Sequence, residues 1–349
     1  MIRTLAIDEY MKLAGTIPMV DVRTPIEFGQ GHIRSAYNLP IFSNEERVEV
    51  GTCYKQRGRE EAILLGFDLM GPKWSGLIKR ALKFAPTKRI AIYCWRGGMR
   101  SGAMAWALNM YGFDVYLLGG GYKKYRRWVL NTFTESFWLL ILGGMTGSGK
   151  TNVLYELKNR GEQVIDLEDL AQHQGSAYGS MGKLIQPTQE QFENNLASIL
   201  HKIDQTKPLW IEDESITIGK RVIPHLLWKQ MREAEVIKLL VPIEQRIQFL
   251  VHEYGNLGKD FLAKCTERIS KRLGPVQTKN ALLAIEEDRI VDFIRLVLGY
   301  YDKRYQLGQN KRAVERVHQV ECDGTHPFQN AMLILEKIKL MNLEVNSSQ

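Results

Sequence analysis

The chain has 349 residues, 44% hydrophobic and 25% charged, a globular composition with room for two ordinary domains. Its longest apolar run, residues 137–145, is too short to span a bilayer, and the opening residues carry Asp8 and Glu9 without a signal-peptide core, so a cytoplasmic protein without membrane partners is expected. The net charge of +8 favours a polyanionic partner or an acidic substrate, and the separated cysteines Cys53, Cys94, Cys265 and Cys322 suggest neither a zinc site nor a disulfide framework.

Strand and helix signals alternate over residues 1–130. Met19-Val20-Asp21-Val22 reads as a short buried strand, and Arg89-Ile90-Ala91-Ile92-Tyr93 as another that runs straight into Cys94. Residues 101–110 predict a helix stopped at Gly112, and residues 115–118 a strand closed by Gly119-Gly120-Gly121. The stretch 122–136 reads as a connector with Lys123, Lys124, Arg126 and Arg127 and no acid before Glu135. A continuous apolar strand over 137–142 opens a second unit, followed by a Gly-rich loop and a helix through Val153, Leu154 and Leu157. Strands are expected over 164–166, 209–211 and 236–240, with a mostly helical pattern from about 226. Interleaved strands and helices predict an α/β fold with parallel sheets: a first domain over 1–130, a basic connector at 131–136, and a second domain over 137–345 with helical additions.

The loop Tyr93-Cys94-Trp95-Arg96-Gly97-Gly98-Met99-Arg100-Ser101 lies between a strand and a helix. Backbone N–H groups there can converge on an anion, with the positive end of the helix behind them, a field that favours a thiolate nucleophile. Cys94 is therefore the catalytic candidate, with Arg100 as its counter-charge; Arg96, Gly97 and Gly98 are expected to shape the anion-binding ring. Asp21-Val22-Arg23-Thr24-Pro25-Ile26-Glu27-Phe28, Gly31-His32-Ile33 and Ala36 with Asn38 and Pro40 resemble the rhodanese homology domain over about residues 5–130. That resemblance implies a persulfide- or perselenide-carrying Cys94. Ser35 stands where that family usually has Gly. The Cys-x5-Arg spacing is one residue longer than in sulfurtransferase rhodaneses and is similar to phosphatase and arsenate-reductase loops, which suits a thiophosphate- or selenophosphate-like group.

Gly144-Met145-Thr146-Gly147-Ser148-Gly149-Lys150-Thr151 matches the phosphate-binding loop G-x-x-x-x-G-K-T in its strand-to-helix context. Gly144, Gly147, Ser148 and Gly149 let backbone N–H groups approach phosphate oxygens, Lys150 neutralises terminal phosphates, and Thr151 suits Mg²⁺. Glu212-Asp213-Glu214 ends a strand where a metal-organising acid is expected, and period-two alternation puts Glu212 and Glu214 on one face. His173 sits in a polar, glycine-rich stretch that reads as a functional phosphate- or substrate-binding loop.

The order of these motifs is specific. A rhodanese-like half, the phosphate loop, Asp166-Leu167-Glu168, His173 with Gly175-Ser176, Gln186-Pro187, Ile211-Glu212-Asp213-Glu214-Ser215, Lys271-Arg272-Leu273-Gly274 and Tyr300-Tyr301-Asp302 together are similar to the bacterial tRNA 2-selenouridine synthase family. Asp169 and Gln174 depart from that pattern. The resemblance implies a tRNA substrate with 2-thiouridine at the wobble position of its anticodon loop, S-geranylation by geranyl diphosphate, and replacement of the S-geranyl group by selenium from selenophosphate, which a separate enzyme supplies. Lys79, Arg80, Lys83, Lys88 and Arg89, the cations at 123–127, and Arg268, Lys271 and Arg272 offer an RNA track, with Trp95, Tyr122, Tyr125 and Trp128 available to stack bases. Two other readings are a P-loop small-molecule kinase fused to a sulfurtransferase, and a redox-sensing nucleotide switch.

Overall fold

The computed structural model describes residues 1–173, 185–255, 257–309 and 312–347. Two compact units emerge: Met1–Thr134 with Pro187–His201, and Glu135–Gln186 with Lys202–Gln349.

The first unit is built on five parallel strands: β1 (Ile2–Leu5), β2 (Met19–Asp21), β3 (Tyr37–Asn38), β4 (Arg89–Tyr93) and β5 (Asp114–Leu118), in the order β1-β5-β4-β2-β3. Central β4 is buried from Ile90 onward, as its unbroken apolar run requires of a strand covered on both faces. Its carboxyl end delivers Cys94 to the edge of the core, the usual place for a site in such sheets.

The connector expected over 122–136 is corrected by the structure. Residues Gly121–Thr132 form a helix whose Tyr122, Tyr125, Val129 and Thr132 are buried, a spacing of three to four that defines a packed face. Lys123, Lys124 and Arg127 occupy the exposed face of this helix; the cations drew attention away from the apolar period beneath them. Helix Gln189–Leu200, deep within the second domain by sequence, belongs to the first unit.

The second unit holds β6 (Leu139–Gly144), β7 (Gln163–Ile165), β8 (Leu209–Glu212), the short antiparallel pair β9 (Thr217–Ile218) and β10 (Arg221–Val222), β11 (Glu235–Leu240) and β12 (Val317–Glu321). The main sheet is parallel in the order β12-β11-β6-β8-β7. Helices between Ile243 and Gln309 gather around Ile247, Leu262, Ala281, Phe293 and Val297 as a helical addition with its own core. Among the described residues no helix is long and apolar enough to cross a membrane.

Candidate active site

Cys94 is buried, and its Sγ lies 3.1 Å from Ser101 Oγ in the first turn of helix Met99–Met110. Ser101 Oγ also reaches the Gly98 carbonyl, at 3.2 Å. The hydroxyl can thus accept from a thiol or donate to a thiolate. Gly97 has φ +67°, and a Cβ there would come within 2.8 Å of the Leu118 carbonyl. Gly121, at φ +61°, fits closer still: a Cβ would stand 2.4 Å from both the Cys94 carbonyl and the Gly97 nitrogen. The next two N–H groups, of Tyr122 and Lys123, donate to the carbonyls of Cys94 (2.8 Å) and Trp95 (2.9 Å). The Gly-Gly-Gly stretch expected only to close a strand therefore forms one wall of the cysteine loop. Trp95 and Arg96 stand exposed at its apex.

Arg100, expected as the counter-charge of the ring, is paired with Glu27 through Nη1–Oε2 at 2.7 Å and Nη2–Oε1 at 3.3 Å. Glu27 also closes a capping box with Thr24. Burial pushes the Glu27 carboxyl up, but the Arg100 guanidinium and the Thr24 N–H outweigh it and leave the group below its ordinary value. Beneath the loop, buried Arg23 pairs with Asp21 and lies 3.7 Å above the Tyr122 ring.

The phosphate loop runs from the end of β6 into helix Lys150–Asn159. Gly147 and Gly149 have φ +82° and +72°, left-handed conformations that favour glycine. Thr151 Oγ1 donates to Glu212 Oε2 at 3.2 Å, and Lys150 Nζ lies 3.4 Å from Glu212 Oε1. Ser148 Oγ is buried with no hydrogen-bond partner among the described residues. Buried Arg246 donates to the Thr146 carbonyl at 3.0 Å and pairs with Asp302 at 2.9 and 2.7 Å. The Gly144 N–H donates to Tyr305 Oη at 2.7 Å. Helix Ile290–Gln309 thus braces the loop from outside the sheet.

Residues 137–329 match a family model described as the tRNA 2-selenouridine synthase AAA domain, and residues 6–127 match the rhodanese-like domain. The tRNA 2-selenouridine synthase of Shewanella frigidimarina is 35% identical over 353 residues, covering 89% of this chain and 93% of that protein. Its counterpart in Psychromonas ingrahamii is 37% identical over 329 residues, covering 85% and 89%; that of Nitrosomonas eutropha is 41% identical over 245 residues, covering 68% and 63%. The chain belongs to the tRNA 2-selenouridine synthase family.

The P-loop half of this family member fits magnesium in part. Thr151 and Glu212 bring hard oxygen donors together. Among the described residues no cluster of three His, Cys, Asp or Glu could hold a metal alone, so a magnesium ion here would need phosphate and water oxygens to complete its shell. Burial raises Glu212 while Lys150 opposes the shift; Glu214 is driven well above the usual range by burial and by Glu212. Asp213 is spent on Arg312, at 2.6 Å, as the opposite-face alternation requires.

The His173 N–H donates to the Glu168 carbonyl at 3.0 Å, and its ring packs beside Gly219, where a Cβ would stand 2.6 Å from Cδ2. Gln186 ties this corner together, donating to the Ala171 carbonyl (2.9 Å) and accepting from the Lys220 N–H (2.8 Å). Gln174, Gly175, Ser176, Tyr178 and Gly179 lie outside the described residues. Sequence reasoning missed Glu27, Gly121, Arg246 and Tyr305 as site residues; the Asp302 contact was signalled only by the Tyr300-Tyr301-Asp302 motif. Cys265 and Cys322 are buried, and burial with nearby acids pushes the Cys322 thiol up to about 11, away from nucleophilic use.

Proposed function

We propose that this family member converts 2-thiouridine at the tRNA wobble position into 2-selenouridine in two stages, each run by one of its loops. In the first stage the thiocarbonyl sulfur attacks C1 of geranyl diphosphate, forming a C–S bond as the C–O bond to diphosphate breaks. Lys150, Thr151 and the loop amides receive the departing diphosphate. Magnesium held by Thr151 and Glu212 supplies further charge neutralisation when bound. Alkylation turns a poor leaving sulfur into a better one. In the second stage selenide released from selenophosphate by cleavage of its Se–P bond attacks C2, the C–S bond breaks, and geranylthiolate leaves and is protonated to geranylthiol. Cys94, held by Ser101, is the nucleophile that frees the selenide: its thiolate takes the phosphoryl group as the P–Se bond breaks, and water then cleaves the S–P bond to release phosphate and restore the thiol. A wobble base in an anticodon loop is reached without melting a helix.

The observation that carries this reading is the pairing, in one chain of this family, of a phosphate loop that meets a buried carboxylate with a cysteine loop that meets a buried hydroxyl. Mass spectrometry of nucleosides from thiolated tRNA, incubated with protein, Mg²⁺ and geranyl diphosphate, tests it. S-geranyl-2-thiouridine without selenophosphate, and 2-selenouridine with it, is the expected result. Unchanged 2-thiouridine in both reactions, with folded protein, overturns it and moves the kinase–sulfurtransferase fusion to first place.

A further inference from the structure

Helix Gln189–Leu200 lies between β7 and β8 in sequence, yet its polar side chains are committed to the first unit. Asn194, fully buried, donates through Nδ2 to the His32 carbonyl at 3.0 Å and to Tyr122 Oη at 2.7 Å. That hydroxyl donates in turn to Glu190 Oε1 at 2.7 Å. Gln191 Oε1 accepts from the His32 N–H at 2.8 Å, and Arg126 is held by Glu193 and Asn194 Oδ1, each at 2.5 Å. The other end of Tyr122, its backbone N–H, is the donor to the Cys94 carbonyl.

We infer that Tyr122, Glu190 and Asn194 are positioning residues for the Cys94 loop, so that a helix borrowed from the sequence of the P-loop domain is a working part of the cysteine site. The inference rests on Cys94 being the chalcogen-handling group and names what holds it in place. Tyr122 has little slack. Its N–H pins the Cys94 carbonyl, its ring is capped by Arg23, and Gly121 before it leaves no room even for a methyl group. The hydroxyl is the remaining freedom, and the helix saturates it with one donor and one acceptor. Losing that hydroxyl strands a buried amide and a carboxylate, and it frees the tyrosine, and with it the loop carbonyl, to shift. The loop amides and the start of helix Met99–Met110 set the field at Sγ, so a shifted carbonyl changes the reactivity of the sulfur. Burial, together with the Glu190 carboxylate, keeps the Tyr122 hydroxyl far above the ordinary tyrosine range. It therefore serves as a fixed neutral donor and takes no part in proton transfer.

The test is the rate of Cys94 alkylation by iodoacetamide in the full-length protein, followed peptide by peptide from pH 5 to 9, beside the nucleoside assay and a thermal melt. Tyr122→Phe and Glu190→Ala are expected to slow Cys94 alkylation at neutral pH by about tenfold, the loss of one buried hydrogen bond, and to change its pH profile. Glu190→Gln, which keeps an acceptor for the hydroxyl, is expected to restore the wild-type profile. A Cys94 profile unchanged in Glu190→Ala, with only the melting temperature lowered, overturns the inference: the network would then be structural alone. Should Tyr122→Phe fail to fold, the Glu190→Ala and Glu190→Gln pair decides. If wild type makes neither modified nucleoside while Cys94 reactivity still tracks Tyr122 and Glu190, the proposed reaction fails and the positioning role stands.

Discussion

In the proposed reaction Lys150 and Cys94 divide the chemistry at the scale of single residues, and the two losses should be separable. Under the proposed reaction, Lys150→Ala would remove the preorganised charge for the departing diphosphate and is expected to slow S-geranylation by roughly 10²–10³-fold. Cys94→Ala is expected to let S-geranyl-2-thiouridine accumulate while 2-selenouridine disappears; both are read by nucleoside mass spectrometry. Glu27 gives a pH prediction. Its carboxyl sits below the ordinary value because of Arg100 and the Thr24 N–H, despite burial. A carboxyl lowered on folding stabilises above its unfolded value, near ~4.3, and that contribution vanishes as pH falls through the lower folded value. Glu27→Gln should therefore lower the thermal midpoint at pH 7, and the gap from wild type should close in acid. A gap that is constant with pH would exclude this ion pair as its cause.

At the scale of elements, two glycines make opposite predictions. Gly121 begins its helix at φ +61° with a virtual Cβ 2.4 Å from two backbone atoms of the cysteine loop. Gly121→Ala adds backbone strain to a clash that no side chain can relieve, and roughly 2–4 kcal/mol of destabilisation in denaturant unfolding is expected. Gly299 lies inside helix Ile290–Gln309 with nothing within 4 Å of its virtual Cβ. Gly299→Ala should stabilise by about 0.5–1 kcal/mol through helix propensity. The parallel strands most legible in the sequence were β2, β4, β5, β6, β8 and β11, because a strand buried on both faces needs an apolar run; the edge strand β7 was legible only through its Val164-Ile165 pair. β12, Val-His-Gln-Val-Glu, is exposed in part and polar at three of its five positions, so no such run announced it; β1 and β3 are edge strands in the same position.

For the whole molecule, a net charge of +8 and the exposed cations of helix Gly121–Thr132 favour a polyanion. Binding of thiolated tRNA should weaken steeply with salt, log K falling linearly with log salt. Reversing Lys123, Lys124 and Arg127 to Glu together should flatten that slope if this face meets phosphates, and leave it unchanged if other cations do. The division of the chain is the largest departure from a linear reading. The motifs marked a first half and a second half, and each loop sits in the unit its sequence neighbours build. Helix Gln189–Leu200 does not follow that rule, because its hydrogen-bond partners Tyr122, His32 and Arg126 are 64 to 162 positions away, a separation that no local pattern encodes.

The sequence by itself determined the two loops, their strand-to-helix settings, the α/β class and the family. Each depends on short-range features: an apolar run that must be buried, glycines where φ is positive, and a lysine and threonine at the start of a helix. Tertiary structure alone decided what holds the loops. Arg100 answers to Glu27, the Cys94 carbonyl to Tyr122, the Thr146 carbonyl to an Arg246 that Asp302 holds, and Glu212 to Lys150 and Thr151. These partners are chosen by burial, since a desolvated charge or amide must find whichever complement the fold brings within hydrogen-bond reach, and that neighbour is set by the packing of distant segments.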